Sequence, residues 1–284
     1  EELTRNLDDP SLRIDAYNVR WLREFAAGRY RNALAVAVRA FDLERRISDP
    51  DAGVRLRESV AALFTMCGRL QDARRVIEEH DELSRRLFPH HRLHAVAMEI
   101  EFQEVLAEWE AIQALVPRTR AAVEESLATP CVRGARSLLV CAAACAALGD
   151  DPEARALENE AARLGMEGFG SIIDTPRIRL ALHRRDLATV RLLFSAWTGV
   201  IPRRAVWYFP AAVATQLDAL AALGETTRLE EEAAKFLEEE SALQLFALRA
   251  LGIVRRDRML LRQAADRFEA LGFARQAANT RVLV

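Results

Sequence analysis

The feature that most constrains this chain is a pattern of spacing. A turn-forming residue recurs at Gly28, Gly68, Ala107, Gly149, Arg185, Gly224 and Arg256, one step every 32–42 residues. Small or apolar residues stand five, nine and twelve positions after most of these turns. After Gly28 they are Ala33, Ala37 and Ala40, in "GRYRNALAVAVRAF". After Gly68, Gly224 and Arg256 they begin with Ala73, Leu229 and Leu261. Offsets of this kind place side chains on one face of a helix that starts at the turn. His80, Thr119 and Glu158 break the apolar rule at their positions. A unit of this length that repeats along the chain is the signature of stacked helical hairpins, each unable to bury its own apolar face alone.

Strand signals are scarce, and long segments of 3.6-residue period dominate. Pro117, in "ALVPRTRAAVEESL", predicts a break near that point because it cannot supply a helical N–H. Two longer loops are expected, "GMEGFGSIIDTP" from Gly165 to Pro176 and "TGVIPRRAVWYFP" from Thr198 to Pro210.

Composition narrows the functional classes. Apolar residues make up 51% and charged ones 29%, with a net charge of −2, so no broad basic surface calls for nucleic acid or an anionic membrane. The longest apolar run, Leu138 to Leu148, is too short for a spanning helix. Lys235 is the single lysine and lies in "EEAAKFLEEE", which rules out a Walker-type phosphate loop. No GxSxG elbow is present, and "GMEGFGSI" is not a dinucleotide fingerprint. Cys67, Cys131, Cys141 and Cys145 form no CxxC pair. They read as small buried residues of a reducing, cytoplasmic protein.

The turn "GRYRNA" with its small contact residues resembles the tetratricopeptide repeat family. The end of the chain, "LRQAADRFEALGFARQAANTRVLV", and the stretch "TPCVRGARSLLVCAAACAALGD" are similar to repeat regions of bacterial multidomain signalling proteins. Those include LuxR-type ATPase regulators and adenylate cyclase-like proteins. The resemblance implies an all-α, right-handed superhelical solenoid of about seven hairpins. It also implies one repeat domain over residues 1–284, a capping helix over 273–284, and membership of a larger protein. The catalytic and DNA-binding parts of such proteins have no counterpart in this sequence, so the expected role is regulatory, with no cofactor.

In repeats of this kind, helix positions about 13, 10, 6 and 3 residues before the turn face a concave groove. They select Asp15 and Asn18, Arg55 and Glu58, then His94, Glu101 and Glu104, then Arg136, Arg179 and Asp218, with His183 adjoining. Later units offer Leu243 and Phe246. Arg55, Glu58, His94, Glu101, Arg136, Arg179, His183 and Asp218 are therefore the candidate groove residues, for a peptide, a protein segment or a small effector. Arg204, Trp207 and Tyr208 are the candidate interface, since arginine and amphipathic aromatics dominate contact hot spots. They serve equally as anchors that hold a loop in place, or as the contact of a self-associating scaffold. "PHHRLH" places His90 and His94 one helical turn apart, a spacing open to zinc, to a ligand contact or to a plain polar first turn. No metal is expected on this reading, and no catalytic residue is nominated.

Overall fold

In the computed structural model, described for residues 9–44, 50–196 and 206–284, the chain forms sixteen α-helices and no strand among those residues. They are α1 (Pro10–Ala26), α2 (Tyr30–Glu44), α3 (Pro50–Met66), α4 (Leu70–Ser84), α5 (Pro89–Leu106), α6 (Trp109–Ala114), α7 (Val116–Glu125) and α8 (Val132–Ala147). There follow α9 (Asp151–Ala162), α10 (Ser171–His183), α11 (Leu187–Ala196), α12 (Phe209–Leu223), α13 (Thr226–Ala234), α14 (Ala242–Arg255), α15 (Arg258–Ala270) and α16 (Ala274–Arg281).

All seven residues read as turns carry positive φ, and Gly272 joins them. At each, the next residue's N–H reaches the carbonyl five positions back, at 2.8–3.0 Å. Examples are Arg29 to Glu24, Asp150 to Cys145 and Phe273 to Phe268. The turn residue itself donates to the carbonyl three positions back. This is the Schellman closure, which satisfies two carbonyls that a helix end leaves open. One geometry thus ends eight helices and precedes eight, with α15 in both groups. The residue five positions on is buried at every one, including Ala33, Ile112, Val190 and Ala277.

The positions that break the apolar rule obey the burial rule in two of three cases. His80 and Thr119 are fully buried, the latter donating its hydroxyl to the Leu115 carbonyl at 2.9 Å. Glu158 is half-exposed and pairs with Arg184 at 2.7 Å.

Pro117 stands in the first turn of α7, and the break it predicts separates α6 from α7. The loop expected over 165–176 is shorter than the sequence suggests. Only a 3₁₀ turn at Glu167–Phe169 intervenes before α10 starts at Ser171, and Pro176 lies inside that helix. Gly and Pro punctuation overstates the loop because a proline removes only one ladder bond. Here the Thr175 hydroxyl donates to the Ser171 carbonyl at 2.6 Å in the same turn. Most of the second expected loop, residues 198–205, lies outside the described residues.

The two ends of the chain meet. An aromatic cluster joins Phe25 of α1 and Tyr30 of α2 to Phe209 of α12. Arg31 pairs with Glu240, and its backbone N–H donates to the Glu239 carboxylate. A Cβ added at Gly68 would sit 2.9 Å from the Leu271 side chain, so the second turn nests against the last. Gln276 of α16 donates to the Val105 carbonyl of α5 at 2.9 Å. One apolar cluster accordingly joins α1–α4 to α10–α16, and a second fills the space among α5–α10. By length and composition the stretch Val206–Leu223 has the apolar character of a spanning helix, but 61% of it is buried inside the fold, as befits a core helix.

The turns give a direct test. Gly149 has open space where a methyl group would stand but a φ of 85°, so Gly149→Ala adds only backbone strain. It should lower the unfolding free energy by about 1–2 kcal/mol, whereas Arg256→Gly, at φ 53°, should raise it by about 1 kcal/mol. Urea denaturation followed by circular dichroism measures both.

Candidate functional site

The inner ends of α3, α5 and α8 bring charge into the core. Arg133, on the first turn of α8, is buried and chelates Glu101 of α5 through Nη2 at 2.9 Å and Nε at 3.3 Å. Its Nη1 pairs with Glu58 of α3. Glu58 also takes His94 Nδ1 at 2.9 Å and lies 3.9 Å from His80 Nε2. One turn further along α8, Arg136 pairs with Glu104 of α5 at 2.6 Å. A guanidinium is the right group here because its planar fork meets a carboxylate in two parallel bonds and holds its charge in a dry interior.

Burial works to raise the Glu58 pKa, but the Arg133 charge and the His94 bond outweigh it and hold the carboxyl at about 2. Glu101 goes the other way, raised by burial and by repulsion from Glu58 despite its own bonds to Arg133. The two carboxylates share one cation, and only one can be favoured fully. Burial likewise pushes His80 and His94 down to about 4.

The aromatic pair lies on this cluster rather than on a free surface. Arg133 stacks 5.0 Å from the Trp207 ring, and Arg136 stacks 4.8 Å from the buried Tyr208. Trp207 is half-buried. The 3₁₀ turn Val206–Tyr208 thereby fills the inner side of α3, α5 and α8 with the chain's own residues.

A second polar group surrounds a cavity of about 190 Å³ between α5, α10, α12, α14 and α16. Asp218 of α12 receives Arg179 of α10 at 2.7 Å and Arg249 of α14 at 2.8 Å. Arg179 also donates to Thr215 at 3.0 Å, and Arg249 to the Gln276 amide oxygen at 2.6 Å. Gln276 in turn holds the α5 carbonyl, so the network spans five helices. His183 lines the cavity, its ring 5.0 Å edge-on from Trp109, with Nε2 buried and unbonded. Burial and the Arg179 charge lower it to about 4, so the imidazole is neutral near pH 7. Asp218 stays ionised, because Arg249 and Arg179 overcome its burial.

The candidate groove residues thus fall into two interior sets. Glu58, His94, Glu101 and Arg136 belong to the first and Arg179, His183 and Asp218 to the second. The side chain of Arg55, and Arg204 as a whole, lie outside the described residues. Asp15 is exposed on α1, Asn18 accepts a bond from Trp21 there, and Leu243 and Phe246 are buried apolar core. Arg133, Arg249 and Gln276 escape a reading by offsets. Arg249 stands seven rather than six residues before its turn, and Arg133 sixteen before, beyond the offsets applied. The same helical face, extended by one further turn, contains Arg133.

No protein-family model, curated protein or solved structure matches the chain.

Two outcomes follow from the buried charges. Arg133→Met strands Glu58 and Glu101 without their cation and should cost about 3–5 kcal/mol, measured by chemical denaturation. His80 and His183 are neutral when folded but take up protons when unfolded, starting near the ordinary value of 6.5. Stability should therefore fall as pH drops from 6.5 towards 4, and Glu58 should add a further loss from 4.5 towards 2. The melting temperature followed against pH checks this, and His80→Leu should flatten the first segment.

Proposed function

We propose that this chain is a non-catalytic, effector-binding module built from tetratricopeptide-like hairpins, and that its ligand is a small anion held in the Arg179–Asp218–Arg249 cavity. The observation that carries this is electrostatic. Two guanidiniums share the Asp218 carboxylate beside a cavity of about 190 Å³, room for roughly six waters at about 30 Å³ each, while the other carboxylate lining it, Glu104, is already paired with Arg136. Neutral His183 adds no charge. A carboxylate or phosphate entering here supplies the second negative charge that Arg179 and Arg249 lack, through charge-assisted hydrogen bonds to their guanidiniums.

A small effector suits this interior better than a peptide. The face expected to form a concave groove packs against the Val206–Tyr208 turn and against the last helices. The eight turns of one geometry support the repeat reading, and the resemblance to repeat regions of cytoplasmic signalling proteins supports a regulatory arm. A ligand bridging α10, α12 and α14 then acts by favouring one arrangement of those helices over another, which attached domains can sense.

The test is isothermal titration of the purified chain against a panel of inorganic phosphate, small mono- and dicarboxylates and phosphorylated metabolites. At least one should bind with micromolar affinity and raise the melting temperature. Arg179→Gln and Arg249→Gln, each verified as folded by circular dichroism, should weaken it by at least about tenfold. Binding that survives both substitutions, or a panel with no binder at all, overturns the assignment.

A further inference from the structure

"PHHRLH" opens α5, and its histidines meet a residue 37 positions further on. Cys131 stands immediately before α8, in extended backbone. Its Sγ lies 3.5 Å from His94 Nε2, and donor atoms of His90, His94 and Cys131 all fall within 4.8 Å of one another. The His90 and His94 rings, one helical turn apart, are 4.4 Å between centroids.

The His94–Cys131 distance is that of two ligands in a metal tetrahedron, and the third donor lies within reach of both. Zinc bonds of about 2.0 Å to nitrogen and about 2.3 Å to sulfur, at a tetrahedral angle, put the two ligand atoms about 3.5 Å apart. His94 also has the outer partner that a metal-bound histidine needs. His94 Nδ1 lies 2.9 Å from the Glu58 carboxylate and 3.0 Å from Arg133 Nη1; donation to the carboxylate leaves Nε2 free and facing the sulfur. The His90 Nδ1 is buried with no hydrogen-bond partner.

We infer that His90, His94 and Cys131 form a zinc site, oriented by Glu58, that ties the first turn of α5 to the start of α8. Binding replaces the Cys131 S–H bond with a sulfur–zinc bond and releases that proton to solvent. The fourth position of the tetrahedron is left to water or an incoming group. A competing use of the same atoms is a Cys131–His94–Glu58 nucleophile relay, which has the thiol, base and orienting acid of such a device. The relay gives no role to His90, whose unpartnered nitrogen the metal explains.

The experiment uses the whole purified chain with zinc and, separately, cobalt(II). Stripped and reloaded protein should bind one zinc per chain, and cobalt should give the absorption of a tetrahedral site with a thiolate charge-transfer band. Zinc should slow iodoacetamide modification of Cys131 by at least about tenfold. Cys131→Ser and His90→Gln, both at half-buried positions, should each weaken zinc by more than about a hundredfold and remove the thiolate band or shift the d–d bands. The inference falls if folded protein retains less than a tenth of an equivalent of either metal, or if both variants bind as the parent does. It falls equally if a metal-free chain shows Cys131 alkylating faster than free cysteine while zinc leaves the rate unchanged, the signature of the nucleophile relay.

Discussion

Arg133 is the interaction on which the interior depends. Its guanidinium touches three helices at once, bonding Glu58 of α3 and Glu101 of α5 from the first turn of α8. Removing a charge of this kind from water is costly, and only close, multiply bonded partners offset that cost. Several features follow from it. Glu58 is ionised deep in the core because Arg133 is there, and ionised Glu58 orients His94. The flat face of the guanidinium gives Trp207 a surface to stack on, which brings the Val206–Tyr208 turn inward. A hydrophobic residue at position 133 would pack there, but it would specify none of these neighbours.

The second network repeats the same logic with the ratio reversed. Around Arg133 one cation serves two carboxylates; around Asp218 one carboxylate serves two cations. The first set is covered by aromatic rings, and only its Glu104 reaches the cavity that the second set borders. Both networks bridge helices from distant parts of the chain, so both resist changes in the relative placement of those helices.

Much of the fold was legible because it is local. The turn residues at 28, 68, 107, 149, 185, 224 and 256 announce themselves through the residues around them, and a Schellman closure involves only some six consecutive positions. Even Ala107, Arg185 and Arg256, which are poor at left-handed backbone, stand out through the period of the helices that they join. The buried fifth position after each turn is a consequence of helical geometry alone. His80 and Thr119 show the limit: the period marks their positions as inward, and the sequence could not say that a polar residue there would still be buried.

The candidate sites were legible as members and illegible as sets. A face-by-face count picks out Glu58, His94, Glu101, Arg179 and Asp218, since spacing decides which way a helical side chain points. It could not say that Glu58 would meet Arg133 across 75 residues, or that Cys131 would come within 3.5 Å of His94. Nor could it foresee that the expected groove would be occupied by Trp207 and closed by Gln276. The sequence by itself determined the all-helical class, the positions of the turns and the inward face of each helix, because these depend on interactions within a few residues. The tertiary structure alone decided which charges share a partner, where a cavity survives and which three donors converge. Those outcomes depend on how helices from distant parts of the chain pack together, and that packing is set by contacts along the whole chain.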